Sequence, residues 1–366
     1  MPSCRVEFQR VVLDVSIVII VHFSGPPQGI RRVLRPESVL SNRNILLRVH
    51  IPVFPGGIEW QVGPDETNTQ EERFVHLCQA PQIFQALCAG LTINIRLIRH
   101  IGGFAWPTAV LFAFCALVFL ACVRNLLIDP VFSMWTLAGI SFCAYAMYTP
   151  LHDAVHGAVT GMSLERRWMN EWVGYVSGHV LGVSFVAHRR SHLLHHRATN
   201  HPTDDPDGTF AASNLPQLVA MWLKGIPKEW VFALKFEHFT AAERRTVRLE
   251  YLAILTTRVL LLLLCADLGV TVMTLLLGQM LGNSVLTTLF AWSVHHPHSE
   301  QARMQTTTVY QARAGLDTLM TWLWVYQNYH AIHHLYPKVP FFRYRSLYRA
   351  LEPYLLASGV PVKRLL

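Results

Sequence analysis

Histidine is the residue type most able to do chemistry in this chain, and its spacing is not random. There are 19 histidines in 366 residues, with eight between positions 152 and 201 and six between 295 and 334. Three short runs carry ligand-like spacing. HDAVH places His152 and His156 four residues apart, HLLHH places His192, His195 and His196 at i, i+3 and i+4, and HAIHH repeats that spacing at His330, His333 and His334. On a helix, residues three and four apart share one face. Imidazole is a borderline ligand that suits iron, zinc, copper and nickel. A tetrahedral zinc closes with four ligands, so these eight imidazoles are too many for one such ion. They suit two metal ions that keep open positions for water or oxygen.

One such run alone is as readily a surface pattern as a metal site. Three runs of related pitch, predicted below to lie on one membrane face, carry more weight. A metal held by imidazoles keeps much of its charge, and carboxylates are expected behind the ligands, holding ring N–H groups and fixing tautomers. Asp153, Asp204, Asp205 and Asp207 are candidates, with Asn328 a fifth. The isolated His22, His50, His76, His100 and His238 read as solvated or locally bonded rings. His188 lies four residues before His192 and can share its face, and His201 follows box two at short range; ligand duty is the lesser reading for both.

The elements that must position these rings are apolar. Hydrophobic residues make up 52% of the chain and charged residues only 15%, against about 25% charged in a soluble domain. Residues 104–123 form a charge-free run of 20, enough to cross a hydrocarbon core of about 30 Å. After a connection holding Arg124, Asp129 and Pro130, residues 131–151 form a second, so the two predict a membrane hairpin with box one at its exit. Residues 251–294 form another apolar zone, which Asp267 and Gly269 divide into spans at 251–266 and 268–294. Arg258 falls inside the first and needs a partner or a route to the interface. The 16 residues of 172–187, with three glycines and His179, predict an interfacial or half-buried helix.

Two hairpins return segments 152–250 and 295–366 to one side. Lysine and arginine number 11 in the first, eight in the second and ten in residues 1–103, with only Arg124 and Arg258 elsewhere. By the positive-inside rule the histidine-bearing face is cytoplasmic. The predicted fold is all-α integral membrane, with about four transmembrane helices in two hairpins and a cytoplasmic helical cap carrying the metal site. Residues 1–103 mix Pro, Gly and charge without periodicity and predict a poorly defined region, disordered or a non-native extension. The apolar run 15–21 in it is too short to span and reads as a weak signal-peptide core or a short buried segment. Residues 104–366 form the main domain.

Other function classes fit poorly. The net charge of +8 follows the membrane face rather than a nucleic-acid footprint. Seven cysteines with no CxxC pair give neither a disulfide framework nor a zinc ribbon. Soluble di-iron bundles repeat Glu-x-x-His, which is missing here. A membrane metal-binding or transport protein remains as an alternative, but transport sites sit near the midplane on broken spans, whereas these boxes lie beyond the span ends.

The three boxes, with the extensions HHRATNHPTDDPD after box two and NYHAIHHLYPKVPF around box three, resemble the membrane fatty acid desaturase and hydroxylase superfamily over roughly residues 104–360. FAWSVHHPHSEQARMQTTTVY at 290–310 is most similar to the desaturase-like carotenoid-ring hydroxylases, while acyl-lipid desaturases share the same boxes. The resemblance implies two non-haem irons, dioxygen as co-substrate and a lipid substrate reached from the bilayer. It adds a ninth metal ligand just after the last span, for which His295 is the best match, with His296 and His298 as rivals. Box three keeps histidine first, where some cytochrome-b5-fused members carry Gln. The chain has no HPGG haem signature, so the resemblance implies an external electron donor of ferredoxin or cytochrome b5 type. Arg189, Arg190 and Arg197 could meet such a donor or lipid head groups.

Overall fold

The computed structural model describes residues 3–9, 18–24, 48–49 and 60–61 and, apart from 102 and 162, residues 100–365. It divides into two units, Met1–Ile95 and Arg96–Leu366. In the first, β1 (Ser3–Gln9) pairs antiparallel with β2 (Val18–Ser24), and β3 (Arg48–Val49) with β4 (Trp60–Gln61). The end of the apolar run 15–21 thus lies in β2; residues 15–17 and the Pro/Gly stretches at 25–28 and 52–57 lie outside the described residues.

The second unit is helical. α1 (Trp106–Ile128) has Pro107 in its first turn, where the missing N–H is harmless, and ends at Asp129 and Pro130. α2 (Met134–Ala146) starts at Ser133, whose side chain accepts from the Thr136 N–H. The second apolar run is not one continuous helix: it breaks at Met147, and α3 (Tyr148–Val155) follows. Pro150 explains the break, since it has no N–H to offer the Ala146 carbonyl. α4 (Arg167–Leu181) ends on Gly182, whose φ of 78° lies in the left-handed region that glycine adopts at no steric cost. The expected interfacial helix therefore stops there rather than at residue 187. α5 (Phe185–Ala198) begins after Ser184, and α6 (Leu215–Ala233) after Asn214. α7 (Ala241–Leu264) opens with a reciprocal Thr240–Glu243 capping box. α8 (Leu268–Leu286) continues as a π-helical turn through Thr287–Ser293. β5 (Val309–Ala312), α9 (Ala314–Leu323), α10 (His330–Leu335), α11 (Tyr344–Ala357) and β6 (Val362–Leu365) complete the unit, and β5 pairs with β6 in parallel.

Among the described residues, two helices are long and apolar enough to cross a membrane: α1, of 23 residues, and Leu268–Ser293, of 26. Leucines such as Leu117 and Leu276 stand exposed on them, as lipid-facing residues would. α2 packs tightly on α8, because a Cβ on Gly282 would come within 2.2 Å of the Ser141 carbonyl oxygen. Small residues commonly admit such approach between membrane helices. Arg258, on the apolar half of α7, is not alone. Its guanidinium donates to the carbonyls of His179 (3.1 Å) and Val180 (3.0 Å) at the end of α4 and lies over the Phe119 ring.

Candidate metal centre

Four segments deliver the histidines. α3 carries His152 in its last turn and His156 as its C-cap. On α5, His188, Ser191, His192 and His195 are all buried, a one-sided i, i+3, i+4, i+7 pattern, with His196 half-buried beside them. The start of α5 is fixed from afar: Glu250 on α7 accepts the Ser184 hydroxyl (2.6 Å) and the Phe185 N–H (2.8 Å). The π-helical turn after α8 re-aims the chain so that His295 is buried against box two. Before α10, Val325 and Tyr326 sit at φ 45° and 65°. Two consecutive non-glycine residues in that region cost free energy, and the turn they make brings Gln327 under His330.

The rings meet in two groups. One ligand nitrogen from each of His152, His156, His192 and His333 lies within 4.8 Å of the others, and His195, His295 and His334 meet the same limit. His196 lies between the groups: its Nε2 is 3.0 Å from His192 Nε2 and 2.7 Å from His333 Nε2, and its ring stacks on His334 at 4.4 Å. His330 joins the second group, with its ring 4.8 Å from His334 and 5.2 Å from His295. Thus all eight box histidines and His295 come together. The rivals do not: His296 stands against Trp292, and the ring of His298 lies 6.1 Å behind His295.

Several rings are held from behind. Asp205 Oδ1 is 2.8 Å from His195 Nδ1, and Asp205 is itself fixed by the N–H groups of Asn200 and Asp207. Gln327 Oε1 is 2.7 Å from His330 Nδ1, and the Tyr344 hydroxyl is 3.0 Å from His333 Nδ1. An acceptor at Nδ1 leaves Nε2 free for a metal. Asp207 lies 3.7 Å from His195 Nδ1 and binds Lys228, which also approaches Glu229 at 3.5 Å. Of the carboxylates picked from sequence, then, Asp205 and Asp207 reach a box histidine. Asp204 pairs with the exposed His201. Asp153 accepts from the Thr108 hydroxyl and the Phe341 N–H, and Asn328 donates to the Tyr310 carbonyl and Thr321 while its Oδ1 has no hydrogen-bond partner; these bonds tie the segments together. Gln327, Tyr344, Lys228 and Glu229 were not legible in the sequence, because no local spacing marks them.

The electrostatics suit cation binding. Burial, then neighbouring rings, push His152, His156, His192, His295, His330, His333 and His334 well below the ordinary imidazole value, and His196 down to about 3. Neutral imidazole is the form that ligates. His195 differs: burial disfavours its charge, but Asp207 and Asp205 outweigh that and raise it. The donor set fits metal on a second count. His152 Nδ1, His156 Nε2, His295 Nδ1 and His334 Nε2 are buried without a hydrogen-bond partner, and each such orphan costs roughly 1–3 kcal/mol, which an ion would relieve.

A cavity meets these rings from the α8 side. Tyr148, Leu181, Phe210, Ile226, Leu286 and Phe290 line it together with His192, His195, His295 and His330.

Comparison with known proteins decides the family. The family model described as fatty acid desaturase matches residues 129–365, more than half of the chain. The chain belongs to the fatty acid desaturase family. No match was found among curated proteins. Family membership makes the protein a membrane-associated oxidoreductase of the lipid desaturase and hydroxylase kind, and the matched range includes all three histidine boxes. The histidine clusters are ones that could hold metal ions, in keeping with that family.

Proposed function

We propose that the protein is a membrane non-haem di-iron oxygenase that uses dioxygen to hydroxylate or desaturate a lipid C–H bond. The observation that carries this reading is the double cluster of nine buried or half-buried imidazoles. Seven of them stand in two groups at ligand distance, with His196 between the groups and His330 beside the second, and four of the nine have a buried ring nitrogen without a hydrogen-bond partner. His152, His156, His192 and His333 would hold one iron, and His195, His295, His330 and His334 the other, with His196 between them. When bound, two irons supply the means to activate dioxygen and remove hydrogen from an unactivated C–H bond. Hydroxylation consumes O2, two electrons and two protons and yields alcohol and water; desaturation with the same inputs yields the double bond and two waters. The chain's residues do the rest. Asp205, Gln327 and Tyr344 hold ring orientations, while Phe290, Leu286 and Tyr148 exclude water and grip the apolar substrate. Small shifts in substrate placement choose between the two outcomes.

Within this class we favour a carotenoid ring as substrate, on the likeness of residues 290–310, with an acyl lipid as the alternative. The four-span topology, with 131–151 and 251–266 completing two hairpins, would put the boxes on the cytoplasmic face, where a ferredoxin or cytochrome b5 could deliver electrons near Arg189, Arg190 and Arg197. Expression in cells that accumulate β-carotene and in cells of defined fatty-acid content tests the substrate. Hydroxylated carotenoid supports the first reading, new double bonds the second, and His195→Ala should abolish either. A metal-transport protein is the reading of another class. A single labile zinc with no oxygen consumption would favour it.

A further inference from the structure

Polar side chains line several parts of the cavity: Gln279, Asn283 and Thr287 on α8 and its π-helical turn, Asp207 and Lys228, and a patch between α5 and α6. There α5 presents His188 and Ser191, and α6 presents Glu229 behind them; all three line the cavity and are at least nine-tenths buried. His188 Nδ1 lies 3.3 Å from Glu229 Oε2, an ion-pair distance without hydrogen-bond geometry, so that the pairing is electrostatic. A carboxylate only accepts, so the ring proton belongs on Nδ1, which leaves Nε2 an acceptor. That Nε2 has no partner, and neither has Ser191 Oγ. Helical serine usually satisfies itself on the carbonyl four residues back; Ser191 does not. An unused acceptor and an unused hydroxyl therefore stand three residues apart on one helix face, a separation of about 5–6 Å between Cβ atoms that a single oxygen can bridge. They lie within one turn of His192.

We infer that His188 Nε2 and Ser191 Oγ form a receptor for a hydroxyl group carried by the bound lipid. This deepens the reading of the cavity as the lipid site and rests on it; β-carotene itself carries no hydroxyl, so the inference concerns a lipid that already bears one. A hydroxyl donates to His188 and accepts from Ser191, satisfying both. A carboxylate only accepts and so leaves His188 Nε2 bare, and among the lining charges Glu229 and Asp207 outnumber Lys228, which pairs with both. A ketone leaves His188 bare, and an ammonium leaves the Ser191 proton unused. A hydroxyl held here anchors the lipid beside the imidazoles of box two and sets which carbon faces the metals.

The test is equilibrium binding of three radiolabelled probes to the purified full chain in nanodiscs: hexadecane, hexadecan-1-ol and hexadecanoate. Hexadecan-1-ol should bind about tenfold more tightly than hexadecane, the worth of satisfied buried partners, and more tightly than hexadecanoate. In Ser191→Ala, and separately in His188→Leu, the alcohol preference should shrink to about twofold or less while hexadecane binding persists. Retained hexadecane binding shows that the cavity is intact. Equal binding of alcohol and alkane would overturn the inference and leave the patch to water. Hexadecanoate binding as tightly as the alcohol would overturn it too, as would a preference undiminished in both variants. Iron content is measured on the same samples. An iron-free protein that kept the alcohol preference would sink the oxygenase reading and leave this one standing.

Discussion

Asp205, Gln327 and Tyr344 each occupy the Nδ1 of a box histidine, at 2.8, 2.7 and 3.0 Å. Such partners typically contribute 10–100-fold to metal affinity, so Tyr344→Phe and Gln327→Leu should each weaken metal retention about tenfold without unfolding the chain. Iron remaining after titration with a chelator reads this directly. Asp205→Asn should do the same, whereas Asp204→Asn, at a side chain 70% exposed and paired with His201, should change nothing. Sequence alone ranks these two neighbouring aspartates equally. Only the turn that buries Asp205 against His195 separates them. The box histidines were legible because helical spacing is local, and His295 only through the family resemblance, which implies a ligand just after the last span. Gln327 and Tyr344 were not, because their partners depend on a left-handed turn and on the packing of α11.

At the scale of elements, helix starts and stops followed readable punctuation: Pro107, Ser133, Gly182, Ser184, Asn214, Thr240 and Asp267. The break between α2 and α3 was also written in Pro150, but apolarity masks it when the run is read for hydropathy alone. The glycine contacts were invisible, since a glycine's partner is chosen by tertiary approach. They make a sharp prediction. A Cβ on Gly282 would lie 2.2 Å from the Ser141 carbonyl oxygen and 2.6 Å from the Ala144 Cβ. Overpacking of that kind costs about 1–3 kcal/mol or more, so Gly282→Val should melt at a clearly lower temperature in detergent. Gly208→Ala, where a Cβ meets nothing within 4 Å, should melt within a degree or so of the parent, a shift of under about 0.5 kcal/mol.

For the whole molecule, the claim that reaches beyond contacts is orientation. If both hairpins return to the cytoplasm, a cysteine placed at Arg197 or Arg313 should be labelled by an impermeant maleimide only in inverted vesicles. One placed at Pro130 or Ala266, in the connections after α1 and α7, should be labelled only from the outside, with the unsubstituted chain as background. Labelling of all four from one side would contradict the two-hairpin arrangement. Charge counts supply this expectation, and the helices alone do not, since two of the four apolar runs fall in helices interrupted by Pro150 or led by the charged first half of α7.

The measurement that bears most directly on the central claim is metal content paired with oxygen uptake. Protein purified from iron-replete cells under mild detergent should carry about two irons per chain, as nine imidazoles in two groups imply, and should consume oxygen when given an electron donor and lipid. His196→Ala, which removes the ring between the groups, should lower both together. A preparation that holds one zinc and no iron, and takes up no oxygen, would contradict the account.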